Sequence, residues 1–168
     1  MALEVKRKRV EVDLILDQKK AERISQLGEQ LARAGASHVT EGANAAARRI
    51  AKQIDELRGE AEGQIVHLTL EALPLSQWRQ VLEANTTTTK DGRTAQRLED
   101  ITADALKLMI RETVPDTPVE DIAAIIPELS DGQLSPVWYA IQNLNARMID
   151  PKDYLGQASR IIRGSSGN

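Results

Sequence analysis

The chain has 168 residues, 41% of them hydrophobic and 28% charged, with a net charge of −3. That is long enough for one domain with a real core and near the average composition of soluble globular proteins, so wholesale disorder is excluded. No apolar run approaches the roughly 18 residues of a membrane-spanning helix, cysteine is absent, and the small net charge gives no general reason to expect nucleic acid as a partner.

Without cysteine there are no disulfides, thiol nucleophiles or thiolate metal sites. The two histidines, His38 and His67, have no His or Cys neighbour and no paired carboxylates at ligand spacing, so no metal site is expected. The N-terminus carries charges with no apolar stretch behind them, and the chain is expected to stay in the cytosol where it is made. The basic run Lys6-Arg7-Lys8-Arg9 is followed at once by Glu11 and Asp13, and no aromatic residue precedes Trp78. With no stacking platform for bases, the run reads as a solvated tail rather than a nucleic-acid contact.

"VEVDLILD" then alternates, with Val10, Val12, Leu14 and Leu16 facing one way and Glu11, Asp13 and Asp17 the other, which predicts a half-buried strand. From Gln18 the period becomes helical through Ala21, Ile24, Leu27 and Leu31 until Gly35 interrupts. A second helix starts near Ala43, where Ala43, Ala47, Ile50, Ile54, Leu57 and Ala61 are spaced alternately by four and three residues, a heptad seam. Two narrow seams joined by a Gly/Ala/Ser-rich tip predict an antiparallel helical hairpin that projects from the body.

Gly63 ends the second helix, and "QIVHLTLEALP" alternates again, with Val66, Leu68, Leu70 and Ala72 on one face and His67, Thr69 and Glu71 on the other. His67 is expected to be an exposed strand residue, since no acid or nucleophile is locally paired with it. The hairpin brings its two flanking strands together, with their relative direction left open. Pro74 stops the strand; Leu75 falls at a staple position, Ser76 at an N-cap, and Trp78, Val81 and Leu82 line one face of a short helix. Trp78 is expected either to cover the sheet or to anchor a partner.

"NTTTTKDGRT" has no large apolar residue and reads as a linker. Beyond it the pattern is helical throughout. Leu98, Ile101, Ala105, Leu108 and Met109 make one stripe, and Thr117-Pro118-Val119-Glu120 suggests a capping box before Ile122 and Ile126. Leu134, Val137, Trp138, Ile141 and Leu144 make another stripe, and Asp150-Pro151 opens a last helix containing Tyr154, Leu155, Ile161 and Ile162. The expected fold is α+β and predominantly α-helical, with a small two-stranded sheet flanking the hairpin and a C-terminal bundle of short helices. Residues 1–84 would hold the sheet, the hairpin at about 18–62 and the Trp78 helix; 85–95 a polar linker; 96–163 the bundle; and 164–168 a flexible tail.

No glycine-rich phosphate loop, nucleophile elbow or metal-ligand helix stands out, and the carboxylate pairs Glu99-Asp100 and Glu120-Asp121 are adjacent rather than convergent. No catalytic, cofactor-binding or metal-binding residue is assigned. The chain reads as a binding protein rather than an enzyme. The candidates for partner contact are Trp78, Val81 and Leu82 on the short helix, Ile50, Ile54 and Leu57 on the seam, and Trp138. Strand edges also favour a homo-oligomer, with Glu11 and Asp13 guarding the first strand against open-ended pairing.

Taken in order, these elements resemble the tail assembly chaperones of long-tailed bacteriophages that infect high-GC Gram-positive bacteria. In that family a charged strand, a helical hairpin and a second strand lead into a block A-L-P-x-x-x-W-x-x-L, here "ALPLSQWRQVL" from Ala72 to Leu82. A second block, L-S-D-G-Q or L-S-D-G-E followed by a helix ending in L-N, is here "ELSDGQLSPVWYAIQNLN" from Glu128 to Asn145. The chain departs from the family in having Asn85-Thr86-Thr87 where a histidine and prolines often follow the tryptophan helix, and Leu134 where an aromatic often follows L-S-D-G-Q. The resemblance implies a non-enzymatic factor of the host cytoplasm, absent from the mature virion. It would bind the tape measure protein, keep it soluble, help recruit the tail tube protein around it, and exist beside a frameshifted longer form of itself. No cofactor, nucleic acid or membrane is implied. The alternatives are a structural minor tail or connector protein of the virion and a coiled-coil adaptor.

Overall fold

In a computed structural model that describes residues 2–36 and 41–146, the alternating stretches fold as expected into β1 (Arg9–Ile15) and β2 (Ile65–Glu71). They pair antiparallel with Val12 opposite Leu68 and Leu14 opposite Val66. Between them lie α1 (Gln18–Ala36) and α2 (Glu41–Ala61), followed by a single 3-10 turn, Glu62–Gln64. Lys20 near the start of α1 reaches the Glu60 carbonyl near the end of α2, so the two helices run antiparallel.

The sheet has three strands rather than the two expected. β2 is central because a later segment, Ile110–Val114, adds to its free edge antiparallel, giving the order β1, β2, then this strand. Its alternating "IRETV" directly follows a helix, and read in isolation it merges with the apolar stripe before it. The expected linker is also ordered. Thr86–Thr88 and Thr94–Gln96 form a small β-hairpin, β3 and β4, so that the strand Ile110–Val114 is β5. Gly92, at φ +77°, makes its turn, and Thr89 accepts from the Gly92 N–H and donates to the Arg93 carbonyl. That positive φ is the physical reason for glycine here, and Asp-Gly between β-branched residues is the signal of such a turn.

Among the described residues the remaining helices are α3 (Leu75–Ala84), α4 (Leu98–Met109), α5 (Val119–Ile125) and α6 (Asp131–Asn145). They do not form a separate bundle. A single cluster joins Leu14, Val66, Leu68 and Leu70 from the sheet to Trp78 and Val81 of α3, Ile101, Leu106 and Met109 of α4, Ile122 of α5, and Val137 and Ile141 of α6. The helices lie on the sheet's apolar face, and the boundary expected at 85–95 divides no core. The expected last helix and the 164–168 tail lie outside the described residues, as does the hairpin tip.

Two expected caps are replaced by others. Helix α3 begins at Leu75 with Pro74 as its N-cap, so Ser76 is already inside the helix and Leu75 is 64% exposed, not a staple. Helix α5 is capped by Pro118 without a side-chain bond, and the Thr117 hydroxyl donates instead to the Pro115 carbonyl. The capping box that does form is Ser130 with Gln133 at the start of α6, a Ser-x-x-Gln pattern visible in the sequence.

Candidate functional site

The two sequence blocks singled out above meet in the fold. Asn145, at the end of α6, accepts a hydrogen bond from the Leu73 backbone N–H at 2.8 Å, and its amide lies 3.2 Å from the Met109 sulfur. At the other end of α6, Gln133 is 5% exposed and uses both ends of its amide. Its Nε2 donates to the carbonyls of Ile15 and Leu16, each at 2.9 Å, while its Oε1 accepts from the Ser130 N–H at 2.9 Å. Helix α6 is thus pinned along β1 at one end and at the exit of β2 at the other. These residues hold the scaffold together.

The same core assigns Trp78 and Val81. Both are buried, at 6% and 5% exposure, and Leu82 is half-buried against them, so Trp78 covers the sheet and is no partner anchor in this conformation. Trp138 differs. It is half-buried and lines a surface groove of about 190 Å³ with Leu98, Asp131, Leu134 and Ser135, where the start of α4 faces α6. The ring packs against the main core on one side and lines the groove on the other, and a tryptophan combines apolar area with a polar edge, a common character of interface anchors.

Ile50, Ile54 and Leu57 are half-buried along α2, and Leu57 lines a shallow cleft with Arg23 and Leu27 of α1 and with Gln53, Glu56 and Glu60 of its own helix. The hairpin base is held by a small second cluster, Ile15, Ala21, Ala61 and Ile65 with Ile24, on the sheet face opposite the main core. This explains why Ile15 and Ile65 are buried although they sit on the polar side of the alternation. Among the described residues α2 is anchored through this base, through α1 and through the Arg58–Asp13 pair near its end, so the distal hairpin contributes little to the core. Replacing residues 29–52 by a short turn is expected to leave a cooperative thermal transition within a few degrees of the parent, a small shift on the scale of about 2–4 °C per kcal/mol for a chain of this size. Loss of the transition would show that the arm is part of the core.

On the polar face, His67 is not the isolated residue its sequence neighbours suggested. The register places Asp13 directly opposite it, and the turn before β2 brings Glu62 to its other side. His67 Nδ1 lies 2.7 Å from Asp13 Oδ1 and Nε2 2.8 Å from Glu62 Oε1, while Arg58 pairs with the other oxygen of Asp13. A doubly protonated ring donates to both carboxylates at once, and the hydrogen bonds to Glu62 and then Asp13 raise its pKa above the ordinary 6.5. A folded pKa above the unfolded value makes this contribution to stability complete below about pH 6.5 and lost as pH rises through the folded pKa. The melting temperature of the parent is therefore expected to fall relative to His67→Gln across that window; parallel curves would remove the network from the stability account.

Further along this face Glu71 sits between Arg9 and Arg111, at 3.1 and 2.9 Å, and the Arg9 bond above all holds its carboxyl below the usual range. Among the described residues, no group of three or more His, Cys, Asp or Glu side chains could hold a metal ion, and no helix is long and apolar enough to cross a membrane. Comparison of the chain with protein-family models, curated proteins and solved structures gave no match.

Proposed function

We propose that this chain is a tail assembly chaperone of a long-tailed bacteriophage or prophage, a non-enzymatic factor of the host cytoplasm that binds the tape measure protein and holds it soluble while tail tube subunits assemble around it. The observation that carries this reading is the ordered pair of blocks, Ala72–Leu82 and Glu128–Asn145, with the strand–hairpin–strand unit ahead of them. The Leu73–Asn145 bond joins the two blocks directly, and the Gln133–Ile15 bond ties the second block to β1, so the blocks and the strand ahead of them are held in one body.

On this reading the client contact falls outside the two blocks' buried residues. An extended tape measure exposes apolar helical stripes before the tube encloses it, and a chaperone must cover them reversibly. The Trp138 groove and the half-buried seam of Ile50, Ile54 and Leu57 are the apolar surfaces on which an amphipathic helix would dock. A frameshifted longer form would share this body and add a further segment for recruiting tube subunits.

Proteomics of purified particles separates this reading from a structural minor tail or connector protein: the chain is expected in infected-cell lysate and missing from the finished virion. Stoichiometric presence in particles would overturn it.

A further inference from the structure

We propose that two copies of this chain pair antiparallel along their β1 edges, in a register centred on Val10, to form one continuous six-stranded sheet. The inference stands independently of the chaperone reading, because it rests on the edge of the sheet alone.

β1 is an outer strand. The Ala72 N–H donates to the Lys8 carbonyl and the Leu16 N–H to the Gln64 carbonyl, so even-numbered residues bond inward to β2. The backbone groups of Arg9, Glu11 and Asp13 therefore point outward, and among the described residues none of them has a partner across that edge. The edge closes at Ile15, where the outward carbonyl is taken by Gln133 and α1 meets α6 with Glu22 against Gly132. The open stretch runs to Asp13 at one end and continues through Arg7 at the other. Its midpoint is Val10. A helix cannot satisfy this row of donors and acceptors, but an extended strand can.

Charge selects both the occupant and the register. Outward residues must oppose outward residues, so only registers centred on a residue are available. Centring on Glu11 sets Glu11 against its own copy, and centring on Val12 sets Glu11 against Asp13 twice. Centring on Val10 sets Arg9 against the second copy's Glu11 and Arg7 against its Asp13, each pair occurring twice and each of opposite sign. Glu11 is exposed and has no ion pair among the described residues, and Arg9 contacts Glu71 through Nε alone with its side chain 58% exposed. The strand is basic in its first half and acidic in its second, which matches an antiparallel copy of itself. On the other face, Val10 and Val12 line a groove of about 310 Å³ with Tyr139 and Leu144 of α6, and Tyr139 is 64% exposed. The pairing brings the two Val10 side chains together beside that groove and covers it.

Sedimentation at high micromolar concentration and moderate salt is expected to give twice the 18.5 kDa chain mass, shifting toward monomer as salt rises. Glu11→Pro should be monomeric with an unchanged circular dichroism spectrum, since the Glu11 N–H faces outward and proline is tolerated on strand edges; Glu11→Arg should also dissociate. Because the chain has no cysteine, Val10→Cys should cross-link to a dimer under mild oxidation and Val12→Cys should not. A monomeric parent, a folded Glu11→Pro variant that stays dimeric, or cross-linking through position 12 in preference to 10 would overturn the proposal. If Glu11→Pro fails to fold, the cysteine pair decides.

Discussion

Trp78→Ala is expected to lower stability by about 3–5 kcal/mol, the range for removing a large aromatic ring from a packed core. The ring is 6% exposed and lies in the cluster that joins Leu68 and Leu70 of the sheet to Ile101 and Leu106 of α4. Its removal opens a cavity in that cluster, and α3 has no side-chain N-cap to hold its start. Domain stabilities of about 5–15 kcal/mol leave little margin for such a loss. Thermal and denaturant unfolding would measure it. Trp138→Ala, at a half-exposed ring, should cost clearly less. If the two variants destabilise equally, or if Trp78→Ala melts with the parent, the core assignment fails.

Gln133→Leu is expected to cost about 2–4 kcal/mol, although it places an apolar side chain of similar size at a buried position. The substitution removes the donor from two carbonyls, Ile15 and Leu16, and leaves the Ser130 N–H without its acceptor. The buried Ile15 carbonyl, where water cannot replace the donor, costs about 1–3 kcal/mol; the Leu16 carbonyl and Ser130 N–H are only part-buried and are rehydrated, and loss of half a capping box adds about 1 kcal/mol. Gln133→Glu keeps the acceptor for Ser130 but buries a carboxylate oxygen against the Ile15 and Leu16 carbonyls, so at neutral pH it should cost at least as much as Gln133→Leu. Equal stability of Gln133→Leu and the parent in urea unfolding would mean that water, not Gln133, satisfies those carbonyls.

How far the sequence announced this structure depended on whether the controlling interaction was local. The alternation around Val12 and Leu68 and the seam from Ile50 to Leu57 are periodic signals, and the strands and hairpin follow them. The third strand was not legible, because "IRETV" becomes a strand only through the free edge of β2, a partner remote in sequence. The small β3–β4 hairpin was legible in principle from Asp91-Gly92 between threonines, and its polarity disguised it as a linker. The partners of His67 are hidden in the sequence for the same reason as β5. Its partner Asp13 lies across the sheet, so no local spacing announces the network. Likewise the Ser130–Gln133 box was visible locally, but the reach of Gln133 to Ile15 was not. Among the candidate contact residues, burial in the shared core separates Trp78 and Val81 from Trp138 and the seam.

On the proposed chaperone reading, with the blocks at Ala72–Leu82 and Glu128–Asn145 building the body, a client would be held by what the body displays: the hairpin seam and the Trp138 groove. Apolar burial would carry most of that binding, so it should depend only weakly on salt, unlike the β1 pairing. The most direct measurement is coexpression with a tape measure fragment that is insoluble alone, followed by fractionation and affinity copurification. The account predicts that the fragment becomes soluble and copurifies with this chain, and that both effects diminish when residues 29–52 are replaced by a turn or when Trp138 is changed to Ala in a protein that still folds. A fragment that remains insoluble, or one that is soluble without this chain and does not copurify with it at any salt concentration, would contradict the account.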